Sequence, residues 1–328
     1  MIAGRFSIRT VSIAAAGLTV LAVFTVLIIA SSGVRLTYTL RTVTAGGLLL
    51  GAVSGAIGSF VVLRNQSLLG DAISHAALPG VGIGFLIAGR SLGALLFGAA
   101  TASLLGVWFI SFVTRNSRIK QDSAMGIVLA GWFAVGIGVL TFIQQRPDAG
   151  QAGLSTFIFG EAAAMVKGDV RILALVGSGV VVLLLLFWKE FKLVTFDPDF
   201  ARANGYRVRT ITGLLLLLVV ATIVIGLQLA GVVLMVGLLI APGVAARQWT
   251  GRLEAMVVLA ALIGAVSGGA GAVVSALDAD LPTGPMIILI ASVFVASSLL
   301  FAPGRGVIWE VLRRRRDRQV PENDNGRY

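Results

Sequence analysis

Runs of about 20 apolar residues recur along almost the whole 328-residue chain, and each is long enough to cross a bilayer as a helix. Such runs fall at 11–30, 43–62, 67–88, 92–112, 123–143, 170–188, 210–227, 229–246, 254–276 and 284–302. Hydrocarbon offers no partner to a peptide group, so each run must satisfy its own backbone as a helix. Composition agrees, with 57% hydrophobic and 12% charged residues, where soluble domains carry roughly twice that charged share. The expected fold class is an all-α polytopic membrane protein of about ten transmembrane helices. The pair within 210–246 is tight, so one or both of its helices should be short, broken or re-entrant. The run from Val11 to Ala30 follows Arg5 and Arg9 and has the basic start of a signal peptide; its length favours a first membrane helix instead.

Glycine is abundant, at 41 residues. In a bilayer small residues let helices approach closely, so these belong to a tight bundle rather than to loops. Gly47, Gly51 and Gly55 make two successive GxxxG steps, a candidate helix contact face.

The net charge of +11 raises the question of nucleic acid, and its distribution answers it. With the N-terminus cytoplasmic, 20 of the 26 Lys and Arg fall on the inner side and six on the outer, as the positive-inside rule requires. The basicity is topological, no nucleic-acid partner is expected, and an even number of spans puts both termini in the cytoplasm. One transmembrane domain is expected over 1–312, followed by a polar, disordered tail at 313–328. Arg313 to Arg316 would meet anionic membrane lipid or hold the last helix in place.

Two loops carry information. On the outer side, 144–169 opens on the turn sequence Pro147-Asp148-Ala149-Gly150; Leu154 to Met165 is expected as a short interfacial helix. Glu161 there is either a solvated carboxylate or a contact for a docking protein. On the inner side, 189–209 contains Asp197-Pro198-Asp199, a carboxylate and a proline in the places a helix start favours. A short helix over Phe200 to Asn204 should follow, ended by Gly205. Such a capped helix suits mechanical contact with a soluble partner, although capped helices also occur in ordinary loops. Pro242 should break or kink its apolar span. Asp278 and Asp280 stand in the last outer loop, as surface charges or as attractors of cations.

Inside the third run sit Asp71 and His75, the latter the only histidine in the chain. Four residues apart on a helix, they lie about 40° apart around its axis, on one face. Spacing alone leaves two readings open. Asp71 could cap a helix starting at Gly70 while His75 bonds a neighbouring helix. Alternatively, intramembrane ionisable groups mark a substrate path or proton relay, and a carboxylate with an imidazole can share a divalent cation of borderline hardness.

The wording around them, GSFVVLRNQSLLGDAISHAALPG at 58–80, closely resembles the signature of the permease subunits of bacterial ABC importers for manganese, zinc and iron. Phe196, Asp197, Ala201 and Gly205 match the FDxxxAxxxG loop of that family, GLLIAPG at 237–243 matches again, and FIFGEAAAM at 157–165 is similar to the branch that pairs two different permeases. The resemblance covers roughly 43–303. It implies a type II importer fold in the bacterial inner membrane, with Asp71 and His75 lining the metal path. It also implies that the loop with Phe196, Asp197, Ala201 and Gly205 is the coupling helix for an ATP-binding ABC subunit. Further implied partners are an extracytoplasmic metal-binding protein and a second permease subunit, identical or homologous. No permanently bound cofactor is implied: the divalent metal is cargo, and ATP belongs to the partner subunit.

Several chemistries lack their residues. There is no GxxxxGK[ST] for ATP, no HExxH and no cysteine, so an enzyme on this chain alone is not expected. One Asp and one His are few ligands, which suits a site that must also release its ion. The expected function is thus a permease subunit for Mn2+, Zn2+ or Fe2+. Two rivals stand beside it: a permease of the same fold for iron chelates or cobalamin, and a secondary transporter using Asp71 and His75 as a proton relay.

Overall fold

A computed structural model describes residues 38–89, 91–145, 165–275, 281–302 and 306–307. Within the described residues ten helical elements follow one another: α1 Tyr38–Leu63, α2 Ser67–Ala88, α3 Leu92–Asn116, α4 Gln121–Gln144, α5 Lys167–Leu186, α6 Trp188–Phe196, α7 Pro198–Ala203, α8 Val208–Trp249, α9 Leu253–Ser275 and α10 Thr283–Phe301. Among the described residues, eight stretches are long and apolar enough to span a membrane, and Leu234–Trp249 is a shorter apolar helix. These account for nine of the ten runs; 11–30 lies outside the described residues, as do Glu161, Asp278, Asp280 and the tail from 313.

The tight pair expected within 210–246 is two helical limbs of α8 that meet at Gly231, whose φ of 73° and ψ of 168° leave the helical region. The chain reverses there. Gly226 and then Leu229 approach Leu50 and then Gly46 of α1, so the first limb, Val208–Leu227, runs against α1. Leu239 and Gly243 of the second limb meet Gly58 and Val62, so that limb runs with α1. Residue numbers therefore rise together on one side of Gly231 and oppose on the other.

Helix α1 is the axis of the bundle. Its most apolar window is 78% buried, against 28% for α3 and α5 and 22% for α4 and α10, which face outward. A helix apolar all round has no sequence stripe to orient it, so packing is decided by where backbones can meet. Gly47, Gly51 and Gly55 of α1 face Gly268, Gly264 and Ala260 of α9. The expected GxxxG face is this contact, and a side chain larger than hydrogen has no room in it. Helix α2 crosses α3 in the same way where Gly80 meets Gly98.

The end of α1 is a Schellman motif. Asn65 takes the left-handed conformation (φ 54°), Gln66 N–H donates to Val61 O and Asn65 N–H to Val62 O. With nine alternating spans, this turn, Ser117–Lys120, the α6–α7 segment and Thr250–Arg252 all share one side of the bundle.

Candidate functional site

Asp71 is the fifth residue of α2, one turn inside it. Gln66 stands at the N-cap and offers no side-chain cap, so Asp71 does not cap the helix and that reading of it falls. Its neighbour Gly70 lies against Val236 and Leu239 of the second limb of α8. Leu239 precedes Trp249 by ten residues, roughly 15 Å of helix, so the Asp71 turn packs against the middle of the Leu234–Trp249 limb rather than its end.

The two side chains meet. His75 Nε2 is 3.3 Å from Asp71 Oδ1, with the imidazole 18% and the carboxylate 35% exposed. Both can therefore be reached from outside the subunit while anchored within it. Metal–nitrogen and metal–oxygen bonds of about 2.1 Å give a ligand–ligand edge of about 3.0 Å at a right angle and about 3.4 Å at a tetrahedral one. The observed separation falls between these, so the pair can chelate one divalent ion from a single helix. Among the described residues no group of three His, Cys, Asp or Glu forms around any point. By itself the pair offers two ligand atoms.

Helix α4 holds the imidazole in place. The Phe133 ring meets His75 edge-on, with centroids 5.0 Å apart and planes at 85°, the orientation that the ring quadrupole favours. One turn further on, Gly136 packs against Leu78 and Pro79. Pro79 has no N–H, so the His75 carbonyl loses its intrahelical partner. Ser103 of α3 donates to Ile73 O at 3.1 Å, tying the same turn from a third helix. His75 Nδ1 and Ser74 Oγ are buried without a partner. Sequence reasoning passed over Phe133 and Ser103, because one more aromatic or serine in an apolar run carries no signal until its neighbour is known.

The loop after α5 also takes a definite form. Helix α5 ends at Phe187, and α6 leads to Asp197, whose Oδ1 accepts from Phe200 N–H at 2.8 Å with Pro198 at the first helical position. Helix α7 closes in a second Schellman motif: Gly205 at φ 82° donates to Arg202 O and Tyr206 N–H to Ala201 O. Ala201 is fully buried and seats the helix, while Phe196 and Phe200 are 58% and 56% exposed on a surface that should be wet. Phe200 is a second exposed aromatic that the motif comparison did not single out. Behind this segment, Phe60 of α1 meets Trp188 at 5.8 Å and Phe191 at 6.3 Å between ring centroids.

An apolar groove of about 460 Å³ runs between the second limb of α8 and α10, lined by Val236, Ile240, Ser292 and Val295 among others. It offers almost no polar atom to a cation.

Residues 36–302 match the ABC 3 transport family. The chain belongs to that family. It is 47% identical over 272 residues to the manganese transport system membrane protein MntC of Bacillus subtilis, a match covering 83% of this chain and 62% of that longer relative. It is 46% identical over 280 residues to the zinc transport system membrane protein TroC of Treponema pallidum, covering 85% of this chain and 94% of the relative. Among solved structures, PsaBC from Streptococcus pneumoniae in complex with Fab superposes with a TM-score of 0.74 at 29% identity, covering 89% of this chain and 99% of that one. The family read from 58–80 and the all-helical permease fold are thus both found, and the protein is a multi-pass membrane protein of a transport family.

Proposed function

We propose that the protein is the permease subunit of an ATP-driven importer of divalent transition-metal ions, Mn2+, Zn2+ or Fe2+. The observation that carries this reading is the Asp71–His75 pair, 3.3 Å apart and half open on the face of an apolar helix. The names of the relatives, manganese and zinc transport system membrane proteins, support the cargo class. Asp71 supplies charge and a hard oxygen; His75 supplies a borderline nitrogen that calcium and magnesium do not favour. A second permease subunit facing this one across a central axis completes the site; if identical, it adds a second Asp and a second His. Four ligands shared between two bodies come apart when the bodies move, which allows release.

In this scheme an extracytoplasmic binding protein delivers the ion, and ATP is hydrolysed on separate cytoplasmic subunits. Their closure is felt through Phe196, Asp197, Ala201 and Gly205, a short rigid helix with both ends capped. Both termini and that helix lie in the cytoplasm, on the side richer in Lys and Arg. Cellular content of all first-row metals tests the reading, comparing a strain lacking the gene with strains complemented by wild type, Asp71→Ala or His75→Ala. A selective fall in one metal, restored by wild type alone, is the expected result. Full restoration by a correctly inserted Asp71→Ala, His75→Ala double variant overturns it.

A further inference from the structure

Helix α3 turns an apolar stripe outward. Leu105, Trp108 and Phe112 are exposed, and with Arg115 they occupy an arc of about 80° around the helix axis. Arg115 lies ten residues beyond Leu105, roughly 15 Å of helix and so about half of a hydrocarbon core of about 30 Å. The stripe is thus apolar for the depth of one leaflet and cationic where that leaflet meets water. The Trp108 and Phe112 rings stack at 5.4 Å between centroids with planes at 20°, so they stand as one flat slab rather than as two separate side chains.

The charge at the end of the stripe has no partner of its own. Arg115 in the last turn of α3, and Arg118 and Lys120 in the turn that follows, are all exposed. None of them forms an ion pair among the described residues. The turn itself is tied down: Ser117 Oγ donates to Val113 O at 2.6 Å and accepts from Ile119 N–H at 3.2 Å. Asp122 in the first turn of α4 is the one acidic residue within 115–122, so that stretch keeps a net charge of +2. A soluble partner has no use for the apolar slab. A second copy related by an axis normal to the membrane would bring its own cations to the same depth, where like charges repel. A molecule with an anionic head and an apolar tail fits both halves of the stripe.

We propose that this face of α3 and the α3–α4 turn bind one anionic glycerophospholipid, its phosphate held by Arg115, Arg118 and Lys120 and an acyl chain laid on the Trp108–Phe112 slab. The site needs only a bilayer around α3 and is independent of the cargo. It lies close behind the ligand pair. Phe109 of α3 meets Trp132 of α4 at 5.5 Å between ring centroids, the next residue, Phe133, meets the His75 ring, and Ser103 holds Ile73 O. A lipid clamped across the end of α3 and the turn into α4 steadies the two helices that brace His75.

Binding is read on the full-length chain in detergent, by native mass spectrometry and thermal midpoint, with phosphatidylglycerol and phosphatidylcholine of the same acyl chains as probes. Phosphatidylglycerol should bind about tenfold more tightly or better. That preference should disappear in an Arg115→Gln, Arg118→Gln, Lys120→Gln variant, whose lipid-free midpoint should match wild type because all three positions are exposed. Trp108→Leu with Phe112→Leu stays apolar and loses the slab, and should weaken both lipids alike by about three- to tenfold. An unchanged preference in the triple variant overturns the site, and loss of its ATPase subunit at the same time would mark the turn as a protein contact. A preference lost instead on changing Arg313 to Arg316 to Gln puts the lipid at the tail and overturns it equally. Displacement of phosphatidylglycerol by inorganic phosphate marks a bare anion site and overturns the lipid assignment. Should the triple variant be unstable without lipid, the wild type decides: its preference must fall steeply as salt rises, and a salt-independent preference sinks the proposal.

Discussion

Gly51 of α1 and Gly264 of α9 meet backbone to backbone, so that a Cβ on either would overlap the carbonyl oxygen of the other. The contact repeats one turn above, at Gly47 and Gly268, and it joins the two helices that bury the middle of the bundle. Gly51→Leu should therefore cost 1 to 3 kcal/mol or more, about the range for forced overpacking, and lower the thermal midpoint in detergent. Gly126 of α4 is the internal control: nothing lies within 4 Å of a Cβ there. Gly126→Ala should leave the midpoint unchanged or raise it by the equivalent of about 0.5 to 1 kcal/mol.

Asn65 closes α1 at a φ of 54°. Glycine accepts that conformation freely and a β-branched residue does not. Asn65→Gly should keep wild-type stability, whereas Asn65→Val should lose about 1 to 2 kcal/mol, read from the same thermal midpoint.

Gly231 reverses the chain at φ 73° and ψ 168°, a region costly to any side chain. Gly231→Ala should destabilise by about 1 to 3 kcal/mol despite replacing glycine with the best helix former. A variant as stable as wild type would show that the reversal does not depend on this torsion.

Asp197 caps α7 with a bond of 2.8 Å to Phe200 N–H. Asp197→Ala removes about 1 kcal/mol from a helix of one and a half turns. The loss should be local: amide hydrogen exchange at Phe200 and Ala201 should rise about fivefold while the global midpoint stays within error. The neighbouring ion pair of Lys192 with Glu254 is exposed, and Lys192→Ala should be silent in both measurements.

Phe133 meets the His75 ring edge-on, a contact worth about 0.5 to 1.5 kcal/mol. On the transport reading, Phe133→Ala should raise the half-saturating metal concentration for uptake about two- to tenfold without changing ATP hydrolysis.

Much of this molecule is legible from residue order because the governing physics is local. A run of about 20 apolar residues must form a helix in a bilayer whatever its neighbours, and every run within the described residues does so. The 3.6-residue period alone puts Asp71 and His75 on one face. Asp197-Pro198 and Gly205 bound α7 because capping involves only backbone and side chains a few residues apart.

What tertiary structure decided is everything that depends on which apolar faces meet. Whether Asp71 capped its helix or lay inside it turned on a start at Ser67 rather than Gly70, a shift of one turn that sequence pattern does not resolve. Nothing in the α4 sequence marks Phe133 as the ring on His75, since helices apolar all round carry no stripe to orient them. The GxxxG steps of α1 named a face but not its partner, because only interlocking backbone shapes select α9. Local chemistry wrote the helices and their ends; shape complementarity in a medium with no hydrophobic gradient chose their neighbours.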